Sequence, residues 1–319
     1  MSLPRLFRPR ARKRAVKTFA TEPRAEPRRG KPCPLCGGAR LEPLWDCDGF
    51  AFARCAACGL VQQDPQPEPA AVAARYGGEY LAYEESNQLA YRDLELLALA
   101  DLRLEEAAAP LRARRAREGG PQGGLPRALD VGCATGALLD ALRARGWQPS
   151  GVEICAPAAA YGRERYGLPI HAGDLGSAGF PDASFDLIHA SHLIEHLCDP
   201  AGFLEEASRV MADDGILVLT TPNASGFQAR LLGPDWRSAI NDHLYLFSTR
   251  TLGALLAAKG FSVERMVTWG GWARGLRPSF LKPFLDRWAK RAGEGDVMAV
   301  LARKASAREA SARKMGGRA

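Results

Sequence analysis

Two groups of residues carry chemistry in their spacing. The first is Cys33 and Cys36 in CPLCGG with Cys55 and Cys58 in CAACGL, a C-x2-C-x18-C-x2-C pattern. That spacing lies in the range where two thiolate-bearing turns close a tetrahedron around zinc. A glycine follows the second cysteine of each pair and permits the positive φ that lets backbone N–H groups point at sulfur. With all four positions filled by protein no coordination site is left for water or substrate, so the expected metal is structural and staples about thirty residues that lack a core of their own. Cys47, Cys133, Cys155 and Cys198 are scattered singly, which is no disulfide framework. Nor does a thioredoxin-like βαβ unit surround either pair, as a redox C-x-x-C requires.

The second group is HLIEH, residues 192–196, an H-x-x-E-H string. In the middle of a long helix, with a distant third ligand, it would read as a zinc peptidase. Here a strand pattern ends at about Ala190 and Pro200 opens a new helix, which leaves barely one helical turn, and the peptidase reading fails. His192, Glu195 and His196 are then candidates for acid/base work or metal binding, joined by His243 in NDHLYLF. Histidine is matched to proton transfer at neutral pH. The chain has five histidines; His171 and His189 fall inside strand patterns and are expected to be packed, neutral and hydrogen-bonded.

The elements that must position these residues follow from periodicity. A helical pattern runs from about Gln88 to Arg117, and residues 118–126, EGGPQGGLP, break it. From Arg127 onward strand and helix alternate: ALDVG, GALLDALRARG, PSGVEI, a helix to Tyr166, LPIHAG, SFDLIHA, a helix from about Pro200 to Met211, then GILVLTT. Alternation of this kind implies parallel pairing with right-handed crossovers, hence a doubly wound α/β sheet whose ligand lies at the carboxyl ends of the strands. The first strand-to-helix turn is ALDVGCATGALL. A dinucleotide fingerprint G-x-G-x-x-G would need glycine where Ala134 and Ala137 stand, which weakens a pyrophosphate ligand.

That turn resembles the E/D-x-G-x-x-x-G turn of class I methyltransferases that use S-adenosylmethionine (SAM), and residues 127–304 keep step with the family. The resemblance implies a mostly parallel, seven-stranded, Rossmann-like sheet. It implies cofactor contacts at Asp130, Gly132, Cys133 and Gly136, at Glu153 for the ribose hydroxyls, at Asp174 and Leu175 for the adenine, and at Ser191. FDLIHASHLIEHL matches the fourth strand and the loop beside the reacting centre, and LTTPN the substrate-facing segment after strand five. DHLYLFSTRTLGALLAAKGF is similar to the branch that includes the ubiquinone-biosynthesis O-methyltransferases. There E-x-x-E-H binds a divalent cation; this sequence keeps Glu195 and His196 and has His192 for the first carboxylate. A second metal at His192, Glu195 and His196 is therefore one expectation, and His192 or His243 as base is the other. A four-thiolate ribbon joined to such a sheet also resembles bacterial methyltransferases acting on sugars and polyketides.

The bulk numbers bound the rest. The chain has 319 residues and a formal charge of +7. Residues 1–31 carry +9 and residues 301–319 carry +5, which leaves the body between them at −7. The tails have the composition of solvated, disordered ends. No apolar run approaches the roughly 20 residues of a membrane span, and a cytoplasmic location is expected. The expected organisation is a basic tail (1–30), a zinc ribbon (31–63), a linker and helical cap (64–124), the SAM-binding domain (125–304) with an aromatic and basic insert (269–295), and a second basic tail (305–319). The expected activity is methyl transfer to an oxygen of a small-molecule, glycan or lipid-linked acceptor. The alternatives are an RNA methyltransferase that grips nucleic acid with ribbon and tails, and a non-catalytic SAM-binding interaction protein.

Overall fold

A computed structural model of the chain describes residues 28–29, 31–118, 124–271, 280 and 282–305. Most of both basic tails, and residues 272–279 and 281 of the insert, lie outside the described residues. The strands form two sheets among the described residues. The smaller is β1 (Arg28–Arg29), β2 (Arg40–Cys47), β3 (Phe50–Cys55) and β4 (Val61–Gln63), antiparallel throughout. Helices α1 (Pro69–Ala73), α2 (Gly78–Asp101) and α3 (Leu104–Glu118) follow.

The larger part runs β5 (Arg127–Val131), α4 (Ala137–Arg143), β6 (Gln148–Glu153), α5 (Ala156–Tyr166), β7 (Ile170–Ala172), β8 (Phe185–Ser191), α6 (Pro200–Val210), β9 (Met211–Pro222), α7 (Phe227–Leu232), β10 (Tyr245–Leu246), α8 (Thr249–Ala258), β11 (Phe261–Trp269), α9 (Lys282–Ala292) and β12 (Val297–Lys304). Its sheet has seven strands in the order β11-β12-β9-β8-β5-β6-β7. All pairs are parallel except those of β12, which runs antiparallel to both β9 and β11. The expected doubly wound sheet is present. Its central strands β5 and β8 are buried almost end to end, as continuous apolar runs covered on both faces must be.

Local signals set the helix starts. Asp199 caps α6 by accepting from the Gly202 N–H at 2.9 Å, with Pro200 at the first helical position. Ser248 and Thr251 form a reciprocal capping box at α8.

The helical region differs from its expected bounds: α2 starts ten residues before Gln88, at Gly78, and breaks before α3, where Arg103 takes φ 54°. Leu89, Leu94 and Leu97 stay exposed, while Leu99, Leu102, Leu104, Ala108 and Leu111 pack against Ala128, Leu187 and Leu301 of the sheet. The break redirects the chain so that one continuous leucine pattern becomes two helices over different parts of the sheet.

The ribbon shares its core with the larger sheet. Cys33, Leu41, Cys55 and Leu60 belong to one buried cluster with Ile194, Leu204, Leu244, Phe247 and Leu255. β4 pairs with β10, Gln62 opposite Tyr245 and Val61 opposite Leu246. On the outer face Phe52 and Val61 pack with Ala229, Trp236 and Ala239. The small sheet is thus completed by a strand from the larger part of the chain.

Candidate functional site

The carboxyl ends of β5, β6 and β8 lie side by side because the three strands are parallel neighbours. After β5 the chain turns sharply: Gly132, Ala134 and Gly136 take φ of 76°, 46° and 79°. The Gly132 and Cys133 N–H groups donate to the Val152 carbonyl at 2.8 and 3.1 Å. A Cβ on Gly132 would meet Leu193 Cδ1 at 3.2 Å, and one on Gly136 would meet Leu168 and Ile170 at 3.0 and 3.1 Å. The turn therefore needs glycine for space as well as for φ.

Glu153 closes β6 next to this turn and is 2% exposed. Its Oε2 accepts from the Ala134 N–H at 2.9 Å and its Oε1 from the Cys155 N–H at 2.8 Å. Burial raises its pKa, against the lowering effect of those N–H groups. Each oxygen keeps lone-pair capacity beyond its backbone bond.

Asp130 is buried, and its Oδ1 lies 2.7 Å from His189 Nδ1. Burial opposes a charge on His189, yet the Asp130 carboxylate outweighs it and the imidazole pKa is raised. His189 was expected to be neutral; the structure instead pairs it with a carboxylate in the strand interior. Cys133 puts its thiol into the cluster of Leu139, Ala159, Leu168 and Ile170, so only its backbone belongs to the turn. Asp174 is exposed, accepting from the Ser177 N–H at 2.7 Å, while Leu175 is buried. Ser191 ends β8 and hydrogen-bonds the Glu95 carboxyl.

Beyond β8 the HLIEH string folds as a single 3-10 turn, Ile194–His196. His192 stands just before it at φ 50°, with its N–H on the Thr220 carbonyl at 2.8 Å. A histidine in the left-handed region is a local strain held by its surroundings, of the kind that concentrates at functional sites. Its Nδ1 is 3.2 Å from Glu195 Oε1, and its side chain is 47% exposed. Glu195 is fully buried and accepts from Thr221 Oγ1 at 2.9 Å through Oε2. Although burial works to raise it, the His192 hydrogen bond and the imidazoles of His192, His196 and His243 hold its carboxyl at about 2.

The expected metal triad is corrected in one member. The ligand atoms that lie within 4.8 Å of one another belong to Glu195, His196 and His243, not to His192, Glu195 and His196. The His196 and His243 rings meet edge to face at 4.7 Å. His196 Nδ1 lies 2.9 Å from the Asp242 carbonyl and His243 Nδ1 lies 2.8 Å from the Ser238 carbonyl. Both Nδ1 atoms are therefore donors, which leaves each Nε2 as the lone-pair nitrogen. Burial lowers both pKa values, that of His243 to about 3, with the neighbouring His196 adding to it. His243, considered above as a base, is buried and neutral.

Helix α2 adds two residues that the sequence reading missed. Glu84 and Glu95 are half-buried and face the site, and both pKa values are pushed up to about 7. Burial is the first cause in each, with Glu153 next for Glu84 and Asp130 opposing the nearby His189 at Glu95. Their spacing of eleven residues, three helical turns, is the signal that puts both on one face.

At the ribbon, all four Sγ atoms lie within 4.8 Å of one another, with Cys33–Cys58 at 3.4 Å and Cys36–Cys55 at 3.6 Å. The two knuckles repeat one pattern: Gly37 N–H to Cys33 O and Gly59 N–H to Cys55 O, each at 2.8 Å.

A family model described as a methyltransferase domain matches residues 98–265. A probable S-adenosylmethionine-dependent methyltransferase of Mycolicibacterium smegmatis is 32% identical over 142 residues, 43% of this chain and 52% of that protein. A ubiquinone biosynthesis O-methyltransferase of Cereibacter sphaeroides is 28% identical over 120 residues, 34% of this chain and 47% of that one. The chain thus spans about half the length of the curated relatives it matches. A crystal structure of a SAM-dependent methyltransferase from Thermotoga maritima, a possible histamine N-methyltransferase, has a TM-score of 0.45 at 21% identity and covers 61% of this chain and 88% of that one. With the family model matching more than half of its residues, the chain belongs to the methyltransferase-domain family, and its sheet with one reversed strand is the Rossmann-like sheet of the class I, S-adenosylmethionine-dependent type.

Proposed function

We propose that the protein transfers a methyl group from SAM to an oxygen of a small-molecule, glycan or lipid-linked acceptor. One observation supports this most: a single sheet edge carries both the buried Glu153 beside the glycine turn and the His192–Glu195 pair. The Glu153 carboxylate holds the ribose hydroxyls, and the turn at residues 132–136 admits the methionine part. The donor supplies an electrophilic methyl on sulfonium, so the chain mainly has to align an acceptor with the S–CH3 bond. His192 takes the acceptor hydroxyl proton at Nε2. Its Nδ1–H is held by Glu195, which fixes the tautomer and stabilises the imidazolium that forms.

Glu195, His196 and His243 fit a divalent cation. The carboxylate is ionised, the imidazoles are neutral, and backbone carbonyls orient both rings. A cation of the Zn, Fe or Mn class there would lower the pKa of an acceptor hydroxyl.

The experiment is methyl-labelled SAM incubated with the protein and an extract of the native organism. Label appearing in a product whose methyl is acid-stable and ether-like supports the reading. Label on nitrogen, or in RNA, replaces it with one of the alternatives.

The four-thiol cluster fits structural zinc, since sulfurs about 2.3 Å from a tetrahedral ion are roughly 3.8 Å apart. Burial pushes the Cys33 thiol up to about 11, whereas Cys55, despite burial, is drawn down to about 7 by N–H groups of its knuckle. Cys33→Ser/Cys36→Ser is expected to remove one zinc per chain by elemental analysis and to lower the melting midpoint by roughly 10 °C. An unchanged midpoint with no zinc in the wild type counts against that assignment.

A further inference from the structure

We infer that the outer face of α9 docks the protein on an anionic phospholipid bilayer. Phe280, Phe284 and Trp288 are 71%, 72% and 44% exposed. Phe284 and Trp288 are four residues apart within the helix, so they stand on one side of it. Phe284 and Trp288 line a groove there with Arg287, Arg291 and Ala292. Both arginines are exposed. Among the described residues, Lys282 pairs with Asp286 and Lys290 with Asp101, and the described lining of the groove presents two guanidinium groups and no carboxylate.

The inner face of the helix is committed to the fold. Ala289 is buried and its carbonyl accepts from Thr268 Oγ1 at 3.3 Å, and Asp286 Oδ1 accepts from the Gly271 N–H at 2.9 Å. The helix is therefore held in place while two aromatic rings and two arginines face outward. A protein interface concentrates its apolar residues at a centre and its charges at a rim. Here aromatics and arginines alternate along a single short helix, which is the pattern of a segment lying in the headgroup plane. Phosphate headgroups supply the complementary charge, and guanidinium groups bind them in a planar, bidentate way.

The location suits such a surface. α9 connects the carboxyl end of β11 to the start of β12, where Trp269 pairs with Val297 and Val297 with Pro222 at the end of β9. That is the sheet edge carrying His192. Trp288 also packs edge to face on Phe227 of α7, ring centres 5.9 Å apart, in the segment that follows β9. No described helix is long and apolar enough to cross a membrane; the contact inferred is peripheral. It stands apart from the identity of the acceptor.

The test is co-sedimentation of the full chain with vesicles of phosphatidylglycerol and phosphatidylcholine in about equal parts, against vesicles of phosphatidylcholine alone. The wild type is expected to partition onto the anionic vesicles and not the neutral ones. Phe284→Ser/Trp288→Ser and Arg287→Gln/Arg291→Gln are each expected to bind roughly tenfold more weakly or worse. Phe284→Ser alone, a change at a solvent-facing ring, serves as the variant whose melting midpoint stays unchanged while binding drops. Anionic binding that survives Phe284→Ser/Trp288→Ser overturns the inference, because the basic termini then carry it. Equal binding to both vesicles, binding to neither, or a wild-type dimer that this double variant abolishes would each overturn it as well, the last by giving the face to a second copy of the chain.

Discussion

His192→Ala is expected to lower methyl transfer by about 10²- to 10⁴-fold, the span general-base catalysis contributes, while affinity for SAM stays within about twofold. The asymmetry follows from position. His192 projects past the end of β8 with 47% of its side chain exposed, and its polar bonds run to Glu195 and Thr220. Neither Glu153 nor the turn after β5 depends on it. Single-turnover transfer and calorimetric SAM binding, measured on the same preparation, separate the two effects. Unchanged transfer would remove His192 from the reaction and leave alignment, or a cation at Glu195, His196 and His243, to account for the rate. Equal losses in both measurements would show instead that the substitution damages the pocket.

Glu153→Ala acts on the other half of the site. Two hydrogen bonds to a buried carboxylate, at roughly 1.5–3 kcal/mol each, correspond to a loss of about 10²- to 10⁴-fold in cofactor affinity. The same change strands the Ala134 and Cys155 N–H groups that now donate to Glu153, so some stability is lost as well. Glu153→Gln distinguishes the two consequences. It preserves the shape, yet its NH2 must face one of the two backbone donors, and it cannot accept from both ribose hydroxyls and both N–H groups. Binding is expected to be weak in both variants, with the melting midpoint falling further in the alanine one. Near wild-type affinity in Glu153→Gln would mean that the ribose is held elsewhere.

Much of this architecture was legible in the sequence because the relevant signals are local. The turn at residues 132–136 declares itself through Gly132 and Gly136, and the ribbon through two C-x-x-C-G knuckles. The apolar runs of β5, β8 and β9 read as buried parallel strands. What was not legible depends on contacts between distant segments. His243 reaches His196 because the Leu244 N–H donates to the Glu195 carbonyl at 2.8 Å and the Gln63 N–H to the Leu244 carbonyl at 2.9 Å. Neither bond leaves a trace in the HLIEH string, so the expected metal set, carried over from the E-x-x-E-H resemblance, held His192 in place of His243.

The pairing of β4 with the two residues of β10 escaped notice for a related reason. A strand of two residues has no alternation to read. Its consequence is functional as well as architectural. The segment carrying Asn241, Asp242 and His243 is gripped by the ribbon on one side, through Gln63 Nε2 to Asn241 Oδ1 at 2.9 Å. On the other side it is held by the 3-10 turn, through His196. Glu84 and Glu95 were missed as a pair because the helix was read only from Gln88, which left Glu84 outside it. Once α2 begins at Gly78, their common face follows from helical geometry.

The central claim is that SAM occupies the turn after β5 with its ribose on Glu153, and isothermal calorimetry on the purified wild-type chain tests it most directly. Titration with SAM and with S-adenosylhomocysteine is expected to give one site per chain for each, and NAD no heat of binding. An isotherm with NAD and none with either nucleoside would contradict it.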